Sequence, residues 1–170
     1  MLRIEPQPWG EMVEHARATY PNECVGVMLG SIDDGIKTVT LALRMENVSP
    51  GQRRTRYTLD GKDLLAADAE AQRRGLMVIG IYHSHPDCGA YFSKTDLKNS
   101  CPWYSFVVIS VRKGAVSDAR SFLPDAEQKS AESEMLRVGR GFLPPLQWIR
   151  SNQNGKGTHS HSSAAVRRKK

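Results

Sequence analysis

No apolar run in this sequence is long enough to cross a bilayer. The longest, LMVIGIY (Leu76–Tyr82) and FVVISV (Phe106–Val111), fall far short of the roughly 18 residues that a spanning helix needs. The first residues, MLRIEPQPWGEMVEHA, carry prolines and acids where a signal peptide needs an apolar stretch. Cysteine is scarce. Cys24, Cys88 and Cys101 form an odd, widely spaced set with no Cys-x-x-Cys pair, which excludes a disulfide framework. These absences predict a soluble, cytoplasmic protein with reduced thiols and no membrane partner. A basic excess is also missing from most of the chain, although the net charge is +6. From Ser151 onward stand five basic residues (Lys156, Arg167, Arg168, Lys169 and Lys170) and no acid. Taking these five from the 24 Lys and Arg leaves 19 against 18 Asp and Glu. Nucleic-acid binding draws on a concentrated basic surface, so nucleic acid is not an expected partner, and the basic end reads as a solvated tail.

What is present suits one domain. The chain has 170 residues, 39% of them hydrophobic, enough for a single core. Met12, Val13, Ala16 and Tyr20 recur at helical spacing over 9–20, and Pro21 stops that helix. The segments 24–30, 36–48, 56–59, 76–85, 104–112 and 114–123 read as strands, with a turn at Asp33–Gly35 and a loop over 49–55. Helices are predicted over 60–75, where Gly75 supplies the C-terminal glycine, over 93–100, and over 125–138. Strands mixed with a few helices predict an α/β (α+β) domain with a largely β core. The folded domain is expected to occupy residues 1–150, with FLPPLQWIR packed on the body. Residues 151–170 lack periodicity and are expected to be a disordered basic tail.

The chemistry concentrates in YHSHPDCGAYFSKTD (Tyr82–Asp96). Alternate strand residues share a face about 6.5–7 Å apart, so His83 and His85 project to the same side at the end of the 76–85 strand. Two imidazoles at that spacing can converge on one ion about 2 Å from each nitrogen. Ser84 between them faces away. A third ligand must come from elsewhere. Asp96 is the candidate, and the nearby Cys88 is a weaker one. Ser93 and Asp96 also match a capping box, with Ser93 at N-cap and Asp96 at N3. The two roles compete for the Asp96 carboxylate. The His-x-His pair alone carries little weight, because His159 and His161 repeat it in the tail without a strand or a downstream acid.

In combination the residues say more. HSHPDCGAYFSKTD, from His83 to Asp96, resembles the signature of the JAMM (JAB/MPN) metallopeptidase family. PNECVGVMLG, carrying Glu23, and CPWYSFVVISV are similar to the family's segments on either side of that signature. The resemblance covers about Glu5 to Leu136. It implies a single JAB/MPN-like domain with a central mixed β-sheet flanked by helices. It further implies that His83, His85 and Asp96 bind Zn²⁺ with water in the fourth position. Glu23 would take the proton of that water and pass it to the leaving amine, and Ser93 would donate to the oxyanion. The implied activity is cleavage of a peptide or isopeptide bond at the C-terminal glycine of a ubiquitin-like or sulfur-carrier protein ending in Gly-Gly. Phe92 departs from many bacterial members, which carry proline before the motif serine. Among other zinc hydrolases, a metallo-β-lactamase type needs further histidines downstream, and a deaminase needs Cys-x-x-Cys; both are missing from the body. A non-catalytic scaffold of the same fold is the alternative of a different class.

Overall fold

The computed structural model describes residues 1–139 and 141–142. The tail expected over 151–170, the domain end at 150 and the packing of 143–150 lie outside the described residues. The elements run β1 (Leu2–Ile4), α1 (Pro6–Thr19), β2 (Val25–Asp33), β3 (Ile36–Met45), α2 (Gly61–Arg73), β4 (Met77–Pro86), α3 (Lys94–Lys98), β5 (Ser105–Arg112), β6 (Ala115–Pro124), β7 (Ala131–Glu134), β8 (Leu136–Val138) and β9 (Gly141–Phe142). The strands form one mixed sheet in the order β7-β6-β5-β4-β2-β3-β1-β8-β9. β4 and β5 run parallel, while β2 is antiparallel to both β3 and β4. The α/β expectation, with helices flanking a mixed sheet, is met.

The central strands are apolar almost throughout because both of their faces are covered. Trp9, Met12 and Ala16 of α1 pack with Met28, Tyr82, Val107 and Ile109 on one face. Ala67 and Ala71 of α2 pack with Val27 and Leu29 on the other. Pro6 opens α1, where the missing N–H costs nothing. Asp60 caps α2 by accepting from the Lys62 amide at 2.9 Å, and Gly75 takes φ 67° just past its end.

A register shift between Met28 and Leu29 of β2 leaves Ile79 of β4 as an unpaired extra residue. A bulge of this kind reverses which face the following side chains occupy. Val78 lies with the α2 cluster and Ile79 with the α1 cluster. Past the bulge, Ile81 joins Phe92 and Phe106, while Tyr82 turns toward α1. The bulge therefore decides which face His83 and His85 share.

Two expectations are overturned. Residues 125–138 are a turn and two strands rather than a helix. The Asp125 carboxylate accepts from the amides of Glu127, Lys129 and Ser130, which closes a tight turn. β7 then pairs with β6, and β8 pairs parallel with β1. Glu134 is buried, where its carboxylate accepts from Ser121 Oγ at 2.8 Å and meets the N-terminal ammonium at 3.4 Å. Residues 56–59 make no strand either; they are held by Asn47, as described below. The short β1 was not foreseen.

Glycine is required where backbones approach closely. A Cβ on Gly80 would lie 1.9 Å from the Ser105 carbonyl oxygen of the neighbouring strand, whereas one on Gly10 of α1 would meet nothing within 4 Å. Gly80→Ala is expected to cost about 3 kcal/mol or more. Gly10→Ala is expected to gain about 0.5–1 kcal/mol. Urea unfolding of both variants beside the wild type checks the pair.

Candidate metal centre

β4 delivers His83 and His85 to the sheet end on the α2 side. Ser84 points to the opposite face, where its Oγ accepts the Cys24 amide at 2.9 Å. Asp87 follows Pro86 with φ 57° and turns the chain away from the strand. The loop then descends to Phe92, whose ring packs against Phe106 and Phe122 at centroid distances of 5.3 and 5.4 Å. Phe92 anchors the loop into the core at the position where proline was the expectation. Ser93 follows at once and starts α3.

The three expected ligands come together. His83 Nε2 and His85 Nε2 lie 3.1 Å apart. Asp96 Oδ1 is 3.4 Å from the first nitrogen and Asp96 Oδ2 is 3.6 Å from the second. A tetrahedral ion with bonds of 2.0–2.1 Å to nitrogen and oxygen sets its ligand atoms about 3.3–3.4 Å apart. These separations are close to the edge lengths of such a tetrahedron, with one carboxylate oxygen facing each imidazole. Among the described residues His83, His85 and Asp96 form the one group of this kind. His85 Nδ1 lies 3.1 Å from the Gly89 carbonyl oxygen, a contact that places a proton on Nδ1 and leaves the Nε2 lone pair facing inward. The Tyr57 ring packs on His83 at 4.6 Å and walls off that side. The set fits zinc by geometry and by donor chemistry. Cys88 is exposed and stays outside the ligand group.

The capping box forms with the Asp96 carboxylate still facing both imidazoles. Ser93 Oγ accepts the Asp96 amide at 3.1 Å, and Asp96 Oδ2 accepts the Ser93 amide at 2.8 Å, so the capping box is closed. An ionised carboxylate has about four lone-pair sites, enough to cap the helix and still face both imidazoles. Burial alone would raise the Asp96 carboxyl, but the hydrogen bonds from His83 and His85 outweigh it and hold the group far below the usual carboxylate range. Burial pushes His83 down against the pull of Asp96. His85 is raised, because its bond to Asp96 and the charges of Asp96 and Glu23 overcome burial.

Glu23 sits just before β2, and the pairing of Val25 with His83 brings it to the histidine end of β4. It is 5% exposed. Its carboxyl is pushed up to about 7, chiefly by burial, with the His85 charge opposing and Asp96 adding to the rise. The Glu23 amide donates to the Arg53 carbonyl at 2.7 Å, and its own carbonyl accepts from Asn47 Nδ2 at 3.0 Å. Asn47 also donates to the Arg56 carbonyl and accepts the amides of Ser49 and Thr58, so one buried amide ties Glu23 to the whole 49–58 loop. Glu23, His85, Ser93 and Asp96 line a cavity of about 90 Å³, together with Arg54, Thr55, Pro86, Cys88 and Tyr91. The sequence reading missed Asn47, Arg54 and Tyr57. An asparagine at a strand end before Ser-Pro-Gly was the one available signal for Asn47.

Comparison with known proteins places this geometry. The domain family described as prokaryotic homologs of the JAB domain matches residues 7–123. The desampylase of Haloferax volcanii is 33% identical over 98 residues, covering 57% of this chain and 68% of that protein. The CysO-cysteine peptidase of Mycobacterium tuberculosis is 31% identical over 112 residues, covering 65% and 74%. A solution structure of a Salinibacter ruber protein superposes with a TM-score of 0.62 at 34% identity over 85% of this chain and 96% of that one. With most of its described residues inside the matched domain, this chain belongs to the prokaryotic homologs of the JAB domain.

Proposed function

We propose that the protein is a zinc-dependent hydrolase that cleaves a peptide or isopeptide bond at the C-terminal glycine of a ubiquitin-like or sulfur-carrier protein. One observation carries this reading: three converging ligand atoms lie beside a buried carboxyl poised near neutral pH and a hydroxyl with a proton to give. A zinc ion held by His83, His85 and Asp96 would supply Lewis acidity, making a water nucleophilic near neutral pH and polarising the scissile carbonyl. Glu23 takes the proton of the attacking water, a task suited to a carboxyl pushed up to about 7. It then hands the proton to the departing amine. Ser93 Oγ accepts the Asp96 amide, which leaves its own O–H free to donate to the oxyanion as the carbonyl becomes tetrahedral. The strand ladder and the capping box fix these groups before substrate arrives.

The substrate class follows from the relatives, one of which is named for a CysO-cysteine bond. The small cavity favours a thin chain end, and glycines at the carrier's terminus fit that demand. Action in the cytoplasm accords with three free cysteines and with the lack, among the described residues, of a helix long and apolar enough to cross a membrane.

Glu23→Gln is expected to keep the metal and lower kcat about 10³-fold or more, as loss of a positioned base does. Ser93→Ala is expected to lower kcat about 10²-fold through the missing oxyanion donor. It should also cost about 1 kcal/mol of stability through the lost helix cap. Steady-state kinetics, metal analysis and unfolding of each variant separate these effects.

Glu23 also predicts a pH dependence in the metal-stripped protein. Its folded value near 7 lies above the ordinary 4.5, so between those values the unfolded chain has given up a proton that the folded chain keeps. Stability therefore falls as pH rises through this window, and the penalty is complete above about pH 7. Glu23→Gln should equal the wild type near pH 4 and exceed it at pH 8 by up to about 3 kcal/mol. Chemical unfolding of both stripped proteins across pH reads the difference; parallel curves would contradict it.

A further inference from the structure

Arg54 has no part in the reading above, yet it lines the cavity that holds Glu23. Among the described residues lining that cavity it is the one permanent cation. Its place is set by the backbone: the Arg53 carbonyl accepts the Glu23 amide at 2.7 Å, so Arg54 leaves the 49–58 loop directly beside the catalytic carboxyl's own residue. Asn47 holds both flanks of the loop. The guanidinium itself is only loosely engaged. One nitrogen, Nη2, reaches Asp87 Oδ2 at 3.5 Å, and that carboxylate already accepts the Tyr20 hydroxyl at 2.9 Å and the Lys113 amide at 3.1 Å. Asp87 thus tethers Arg54 at the Pro86 end of the cavity without using up its donor fork. The Arg54 side chain is 63% exposed, so it can be reached by a substrate.

The position selects a chemistry. Hydrolysis adds water across the amide: hydroxyl goes to the glycine carbonyl, the C–N bond breaks, and the departing nitrogen takes the proton carried by Glu23. That nitrogen therefore ends beside Glu23. In a free amino acid the carboxylate carbon lies about 2.5 Å from the amine nitrogen. In a lysine isopeptide the same nitrogen ends a long apolar stem with no anion near it. A guanidinium pairs with a carboxylate through two parallel hydrogen bonds, a geometry that suits the first leaving group and offers the second nothing.

We propose that Arg54 is a specificity-determining residue whose guanidinium receives the free α-carboxylate of a single amino acid joined to the carrier's C-terminal glycine. This rests on the hydrolase reading, and it assigns the site to releasing an amino acid rather than a protein lysine. Asp87 orients the receptor.

The test uses the full chain loaded with zinc and three peptide probes. Each ends in Gly-Gly, joined to alanine with a free carboxylate, to alaninamide, or to the Nε of acetyl-lysinamide. The wild type is expected to favour the carboxylate probe in kcat/KM by about tenfold or more over both others. In Arg54→Met that ratio should fall to about one, with Arg54→Lys intermediate because ammonium pairs less specifically. A wild-type ratio near one, or a ratio unchanged in Arg54→Met, overturns the proposal. Calorimetric binding of the carboxylate and amide probes to Glu23→Gln, with and without Arg54→Met, separates this from the hydrolase reading. Carboxylate-dependent binding that needs Arg54, without turnover by the wild type, keeps the receptor and sinks the hydrolase. Equal binding of both probes sinks the receptor, whatever the turnover.

Discussion

The ladder between β2 and β4 is the constraint on which the site depends. Val25 pairs with His83, and the Cys24 carbonyl accepts the Ser84 amide at 3.2 Å. The Cys24 amide in turn donates to Ser84 Oγ, so the residue between the two histidines grips the residue after Glu23. Backbone pairing thus fixes the separation of Glu23 from His83 and His85 without relying on a flexible loop. The price of the arrangement is a Glu23 carboxyl withdrawn from water, which is also what raises its proton affinity. One residue of slip in this ladder would move both imidazoles to the α1 face. The Ile79 bulge and the buried strands on either side make that slip costly.

Asp96 shows how a short helix can present a carboxylate to two imidazoles. α3 spans only Lys94–Lys98, too little to hold itself, and the capping box supplies much of its definition. The same carboxylate then offers its remaining lone pairs to two imidazoles. Phe92, the residue before Ser93, packs against Phe106 and Phe122, so Ser93 enters the helix from an anchored point. The cap orients the carboxylate toward both imidazoles.

Much of this was legible in the sequence, for identifiable reasons. His83 and His85 sit on a continuous apolar strand, where period and burial leave one geometry. Ser93-x-x-Asp96 announces a helix start by local rules alone. The misreading of 125–138 has an equally clear cause. Its Ala, Glu, Gln, Lys and Leu content favours a helix, but Asp125 gathers a turn, and β6 and β1 offer strand partners that only the folded chain provides. Asn47 and Arg54 were invisible for a related reason. Neither follows a local pattern, and each acquires its meaning from the loop that folds back onto Glu23.

The central claim is that His83, His85 and Asp96 hold one metal ion. Its most direct test is the zinc content of the full chain carrying His159→Ala and His161→Ala, which removes the other His-Ser-His pair. The same protein with His85→Ala is measured beside it by elemental analysis. The account predicts about one zinc per chain, lost with His85, as expected for a site with three protein ligands. No zinc in either protein after reconstitution, or zinc retained without His85, would contradict it.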